Sequence, residues 1–166
     1  MAAKYYAIKS CVQSTLKPIG AADETGDIPI NFVNTFSQTR ESDSLAARAD
    51  GVEVITVESN VKYTFTVGME VITEPVLAML MGAEYNAETN TMTAKAEAPT
   101  TVYSLEGVFT LIGDDGSRLV KKMNIGKCRP VANNTVDLSS IDLSTFELQF
   151  TMLIDNGEFF KIINNA

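Results

Sequence analysis

The chain has 166 residues with 21 acidic against 13 basic side chains, a formal charge of −8, and it contains no histidine and no tryptophan. Its length is typical of one domain, and 45% hydrophobic with 20% charged residues excludes disordered, collagen-like and membrane compositions. Without histidine, the usual Ser-His-Asp and Cys-His catalytic pairs and His-containing metal sites are excluded. The acidic balance also disfavours binding a nucleic-acid duplex by neutralising its phosphates.

The two cysteines, Cys11 and Cys128, lie far apart in the sequence and form no metal-binding or redox motif. We therefore expect reduced thiols and no disulfide framework. No apolar run approaches the roughly 20 residues of a membrane helix, and the N-terminus lacks a secretory pattern. The expectation is a protein of a reducing cytoplasm with no cofactor, no metal and no membrane-spanning segment.

A polar segment occupies residues 34–52 and includes the run 37–44, in which every residue is polar or charged. The segment resists assignment to the core, so it predicts a long extended loop. Loops of this length in a compact domain are uncommon and are usually functional or disordered.

Alternating apolar and polar residues mark two strands, at 61–67 and 146–152. In each, one face is large and apolar while the other is small or polar, the period-2 pattern of a half-buried strand. The strand-like segments on either side of 113–116 predict a hairpin through an Asp-Gly turn. Asn156-Gly157 predicts a second hairpin, which joins residues 146–154 to 158–163.

Residues 74–81 break the β pattern and predict one short helix. Thr73 is suited to cap it, Pro75 fits the first turn, and Gly82 supplies the positive φ that ends it. A helix this short is not stable alone, so it must dock on a sheet, through Val76, Leu77, Leu80 and Met81.

These elements together predict a single mainly-β domain spanning residues 1–166. We expect two packed antiparallel sheets in a β-sandwich or barrel-like arrangement, with one short flanking α-helix and the long loop.

Charge is unevenly distributed along the chain. Residues 23–58 hold eight acids and two bases, whereas 118–129 hold five bases and no acid. Both segments could be solvated faces. Alternatively, surfaces of opposite sign on neighbouring copies could meet head to tail, in contacts that close as rings or propagate as filaments.

The order of these features resembles the major tail tube proteins of long-tailed bacteriophages, whose fold is related to that of the type VI secretion tube protein. The likeness spans nearly the whole chain. It rests on the polar segment, the strand at 53–57, the alternating strand continuing through 67–70, the helix ending at Leu80-Met81-Gly82, and the closing residues 150–162.

The resemblance implies a structural virion protein, not an enzyme, that self-assembles into hexameric rings stacked as a hollow tail tube for DNA delivery. Implied partners are further copies of itself, the tape measure protein, the tail terminator, the baseplate and distal tail proteins, and double-stranded DNA that passes without specific binding. The implied location is the virion tail, assembled in the bacterial host cytoplasm.

The resemblance to tail tube proteins suggests roles for two sets of residues in the polar segment, the basic segment and the strand faces. Apolar or charged residues of the long loop and the basic segment are candidates for contacts between subunits or rings: Phe36, Arg40, Leu45, Arg48, Arg118, Lys121 and Lys122. The polar strand faces supply candidates for a wetted lumen wall, which could equally be an ordinary exterior face: Lys62, Thr64, Thr66, Glu147, Gln149 and Thr151. The −8 charge suggests that this wall is acidic and repels DNA weakly.

Two other classes of function stay open on the sequence. A monomeric ligand-binding β-sandwich would keep its charged segments solvated. An enzyme would have to use a carboxylate or a lysine in a cleft that the sequence does not reveal.

Overall fold

The computed structural model describes residues 6–20, 26–30, 33–97, 100–131 and 146–164. Within these ranges the chain forms ten strands and one helix, in the order β1 (Tyr6–Pro18), β2 (Ile28–Ile30), β3 (Val33–Ala49), β4 (Val52–Met69), α1 (Glu74–Leu80), β5 (Glu84–Asn86), β6 (Thr91–Thr93), β7 (Tyr103–Gly113), β8 (Arg118–Pro130), β9 (Phe146–Leu153) and β10 (Lys161–Asn164).

The strands form two antiparallel sheets. The larger has eight strands, in the order β2-β1-β7-β8-β9-β4-β3 with β10 paired to β8, and the smaller is β5-β6. The large sheet curls back on itself, as a contact between distant strands shows. Phe36 of β3, at one edge of the sheet, lies beside Gly107 of β7: a Cβ placed on Gly107 would be 3.8 Å from the Phe36 ring. The predicted mainly-β fold with antiparallel sheets and one short helix is confirmed.

The core lies between the two halves of this curled sheet and is closed by α1. Phe65 of β4 and Phe150 of β9, both almost fully buried, stack with ring centroids 4.8 Å apart. Other buried side chains come from nearly every layer: Leu16, Ile30, Val67, Met69, Val76, Leu80, Leu105, Ile125, Cys128, Leu148 and Met152. Burial of this contiguous apolar set is the main stabilising contribution to the fold.

Helix α1 begins and ends as the sequence predicts. Pro75 lies in its first turn, Thr73 is the N-cap residue, and Gly82 has φ +64° just past its end. The Thr73 side chain makes no capping hydrogen bond; the Thr73 carbonyl instead accepts the N–H of Leu77 at 2.9 Å. The docking face also differs from the prediction, since Met79 is buried while Met81 is exposed.

Residues 34–52 do not form the predicted loop. Residues 33–49 are strand β3, which pairs antiparallel with β4 almost to the turn at Asp50-Gly51. Asp50 and Gly51 both have positive φ, as a tight hairpin turn requires. Because both faces of the outer hairpin are exposed, no apolar and polar alternation marked this segment as a strand.

The two hairpins predicted near the C-terminal half have different outcomes. The turn at 113–116 joins β7 to β8 as predicted, with Gly116 at φ +77°. Asn156-Gly157 also forms a turn, closed by the Asp155–Glu158 bridge, but β10 pairs with β8 and not with β9. β9 and β10 follow one another along β8, because residues 154–160 form an excursion between them.

Candidate functional site: an exposed arm and a polar sheet face

The outer part of the β3–β4 hairpin separates from the rest of the sheet. β4 is hydrogen-bonded to β9 only from Thr64 to Met69, so its residues 52–63 pair with β3 alone. We call residues 40–63 the arm. At about 3.3 Å per residue, its strands extend roughly 40 Å.

Polar and aromatic contacts fix the base of the arm. Arg40 pairs with Glu58 across the two strands. The hydrogen bond and charge of Arg40 lower the pKa of the Glu58 carboxyl, and the same contacts raise the pKa of Arg40. Asn60 Nδ2 donates to Asp43 Oδ2 at 2.9 Å. These side chains are exposed, so the contacts define geometry more than they add stability.

Tyr63 joins the arm to the C-terminal excursion. Its ring lies 4.9 Å from the ring of Phe159 and 5.6 Å from that of Phe160, measured between centroids. All three side chains are partly buried against the core. The excursion therefore braces the point where the arm leaves the body.

The arm exposes apolar side chains. Leu45 is 69% exposed, Ile55 57% and Val57 55%, although Leu45 and Val57 are cross-strand partners. Val52 beside the turn is also exposed. Scattered exposed apolar residues are ordinary, but a group on one hairpin is typical of a surface that another molecule covers.

The predicted lumen residues share one face of the sheet. Thr64 pairs with Thr151 and Thr66 with Gln149, and paired residues of antiparallel strands lie on the same face. β3 extends this surface, since Thr39 pairs with Thr64 and Ser37 with Thr66. We call this surface the polar face: Thr35, Ser37, Thr39, Glu41, Lys62, Thr64, Thr66, Arg129, Glu147, Gln149 and Thr151.

Charge on the polar face is balanced. Its described residues include two carboxylates, Glu41 and Glu147, and two cations, Lys62 and Arg129. The remaining side chains are mostly hydroxyls, and Thr64 is buried among its neighbours. The acidic wall expected from the net charge is therefore not found in this surface. A more acidic region is residues 70–97, around α1 and the small sheet, which hold five acids and one base.

The basic segment 118–129 is partly neutralised within the chain. Lys122 Nζ lies 2.9 Å from a carboxylate oxygen of Glu106, and Lys127 Nζ lies 2.9 Å from one of Asp155. Lys121 donates to Asn164 Oδ1, and Arg118 is exposed. Separation in sequence concealed these partners, which come from adjacent strands and from the excursion.

The other predicted contact residues fall in different places. Phe36 is not on an exposed loop; it stacks on Phe65 with centroids 5.8 Å apart, so the reason for assigning it to a subunit contact is wrong. Arg40 and Leu45 do lie exposed on the arm. Arg48 pairs with Glu53 through its backbone, and its side chain lies outside the described part of the structure.

A cleft of about 430 Å³ lies at the helix end of the molecule, lined by residues including Pro18, Ile28, Met79, Tyr85 and Tyr103. The Tyr85 hydroxyl donates to Glu74 Oε2 at 2.8 Å, which raises the Tyr85 pKa. Burial raises the pKa of Tyr103. The sequence did not indicate this cleft, because its residues come from five separate segments.

The described residues contain no cluster of three or more carboxylate or thiol side chains placed to hold a metal ion. Burial raises the pKa of the Cys128 thiol to about 12, which makes it a poor nucleophile. Nor does any described helix have the length and apolar character needed to cross a bilayer.

The chain matches no protein-family model and no curated protein. Among solved structures it is similar to a chain of the anti-feeding prophage baseplate determined by cryo-electron microscopy with six-fold symmetrisation. The TM-score is 0.50 at 10% identity, and 95% of each chain is covered. A chain of the anti-feeding prophage tube-terminating cap is also similar, with a TM-score of 0.44 and 11% identity over 99% of this chain and 95% of that chain. At these identities, the baseplate match shows a shared fold.

Proposed function

We propose that this chain is a tail tube subunit, a structural protein that assembles into hexameric rings stacked as a hollow tube through which DNA is delivered. The observation that carries the proposal is the arm: a hairpin whose strands extend roughly 40 Å, which pairs with no other described strand and has exposed leucine, isoleucine and valine side chains. A surface of this kind gains free energy when a neighbouring subunit covers it.

The fold supports the same role. The similar baseplate chain belongs to a six-fold symmetrised assembly, and the match spans nearly all of both chains. In the proposed ring the polar face lines the channel. Its hydroxyl-rich, charge-balanced surface offers a passing duplex neither a row of cations for its phosphates nor aromatic platforms for its bases. Passage then depends on weak adhesion, without the repulsion of an acidic wall.

We also propose that this subunit is structural and has no active site. Among the described groups, the marked pKa shift of Cys128 comes from burial alone. Catalytic groups are usually tuned by a specific charged partner in a cleft, and Cys128 has no such cause for its shift. Tyr85 does have a charged partner, Glu74, but this contact raises its pKa and so keeps the hydroxyl protonated.

A direct test is negative-stain electron microscopy of the concentrated protein, with a shortened arm as the matched variant. Asp43 and Ser59 are cross-strand partners, so replacing residues 44–58 by Asn-Gly gives a tight type I′ hairpin without disturbing the body. We expect rings or hollow rods from the natural chain, and folded monomers with the same near-ultraviolet circular dichroism from the variant. Tubes formed equally well by the shortened chain would refute the role of the arm.

The cleft beside α1 favours a second candidate, a monomeric ligand-binding module. Its volume of about 430 Å³ and its two tyrosines suit a small apolar or aromatic ligand. This function predicts a molecular mass that stays that of a monomer at every concentration. Light scattering across a hundredfold dilution separates the two candidates.

A further inference from the structure

A second exposed apolar surface lies at the C-terminal edge of the sheet. In β10, Ile162 is 45% exposed and Ile163 is 40% exposed, and Ile154 at the start of the excursion is 63% exposed. β10 is hydrogen-bonded to β8, and no other described strand pairs with it. We call Ile154, Ile162 and Ile163 the C-terminal edge. An open strand edge with apolar side chains favours association with another chain.

The arm and the C-terminal edge lie toward the same end of the molecule. β9 pairs with residues 127–130 of β8, and β10 continues with residues 121–124, away from α1. β4 runs from the arm past Thr64 to Met69 and then into α1. Both surfaces are therefore opposite the helix end. Copies placed side by side in the same orientation bring one arm level with the next C-terminal edge.

Charge favours contact of the arm with the C-terminal edge over contact with the helix end. The arm, residues 40–63, carries five acids and three bases. On the same face as Ile163, Arg118 of β8 is exposed and forms no ion pair within the described residues. The helix end, residues 70–97, holds five acids and one base and would repel the arm.

We propose that the apolar side of the arm docks on the C-terminal edge of a second copy of this chain, with Leu45 and Val57 against Ile163, which lies on the face of β10 opposite to that of Ile162. The surfaces in contact are different parts of the chain, so the contact is heterologous and repeats around a ring. This inference rests on the proposed function in one respect only, namely that copies associate side by side. It names the partner surface, which the proposed function leaves open.

Thiol crosslinking between separately prepared single-cysteine variants tests the contact. In a Cys11→Ser background, Leu45→Cys protein is mixed with Ile163→Cys protein and treated with a short bifunctional maleimide. Because each variant carries one introduced thiol, a product joining the two is intermolecular, and the native Cys128 is buried. The matched control replaces the second partner with Met81→Cys, a position at the helix end that is at least as exposed as Ile163.

We expect a dimer from the Leu45→Cys and Ile163→Cys pair and little from the Met81→Cys control. Adding Arg118→Glu to the Ile163→Cys partner should reduce the dimer, as should high salt, because this charge is exposed. A dimer with Met81→Cys alone, or none with either partner, overturns the inference. Electron microscopy of the unmodified chain distinguishes failure of this inference from failure of the proposed function. Tubes without the expected crosslink would refute only the contact between the arm and the C-terminal edge. The crosslink without tubes would refute only the tail tube function.

Discussion

The close approach of Gly126 in β8 to Asp155 makes a sharp prediction about stability. A Cβ placed on Gly126 would lie 2.6 Å from Asp155 Oδ2 and 3.0 Å from Asp155 Cβ. Asp155 starts the bridged turn 155–158 and forms an ion pair with Lys127. Gly126→Ala must therefore displace the excursion that braces the arm.

The cost follows from the contacts that are lost. Overpacking of this kind destabilises by about 1–3 kcal/mol, and losing the half-exposed Lys127 ion pair adds at most ~1 kcal/mol. Replacing a glycine within a strand by alanine stabilises the fold by roughly 0.5–1 kcal/mol, because alanine loses less conformational entropy on folding. We expect a net loss of about 1–2 kcal/mol in the free energy of unfolding. For a chain of this size, that loss lowers Tm by roughly 2–8 °C.

A double-mutant cycle tests whether the clash between the new Cβ at residue 126 and the Asp155 side chain causes the loss of stability. Asp155→Gly removes the three atoms nearest to the new methyl group, so in that background Gly126→Ala should be neutral or stabilising. Urea unfolding is followed by far-ultraviolet circular dichroism, at a dilution where the protein is monomeric. If Gly126→Ala costs the same with and without the Asp155 side chain, the proposed clash is not its cause.

Three further predictions concern single side chains. Phe150→Ala should lower the free energy of unfolding by about 3–5 kcal/mol, because Phe150 is fully buried against Phe65, whereas Phe150→Leu should cost clearly less in the same urea titration. Arg40→Gln should raise the pKa of the Glu58 carboxyl toward its ordinary value, as measured by NMR titration. Because the pair lowers this pKa in the folded protein, its stabilising contribution is present above the unfolded-state pKa of Glu58. The contribution is lost as the pH falls through the folded-state pKa. In Cys11→Ser protein, Cys128 should resist a thiol reagent at pH 8 until urea unfolds the chain, since burial holds its pKa near 12; rapid labelling of the native protein would contradict this burial.

The sequence predicted those elements whose local signals agree with their surroundings. The helix at 74–80 is marked by Pro75 and Gly82. The strands around 61–67 and 146–152 bury their apolar faces, while their polar faces range from exposed at Lys62 and Glu147 to buried at Thr64. The same alternation gave each strand its polar face, and the resemblance joined Thr64, Thr66, Gln149 and Thr151 in one surface; the register shows that these four residues share a face.

The failures arose where a pattern depends on distant residues. Residues 34–49 form a strand although they are largely polar, because pairing with β4 satisfies the backbone and neither outer face of the arm is buried within this chain. The Asn156-Gly157 turn forms, yet a turn signal does not specify which strand the following segment joins. Likewise, the basic run 118–129 gave no sign that Glu106 and Asp155 lie beside its lysines.

The continuity of β4 has a mechanical consequence. One strand, Val52–Met69, runs from the tip of the arm, past the buried rings of Phe65 and Phe150, and ends just before α1. A pull on the arm along its axis therefore loads the hydrogen bonds between β4 and its neighbours together, in shear, and does not peel them one at a time. If neighbouring copies hold the arm, tension between them passes directly into the core of each subunit, with no flexible linker to absorb it.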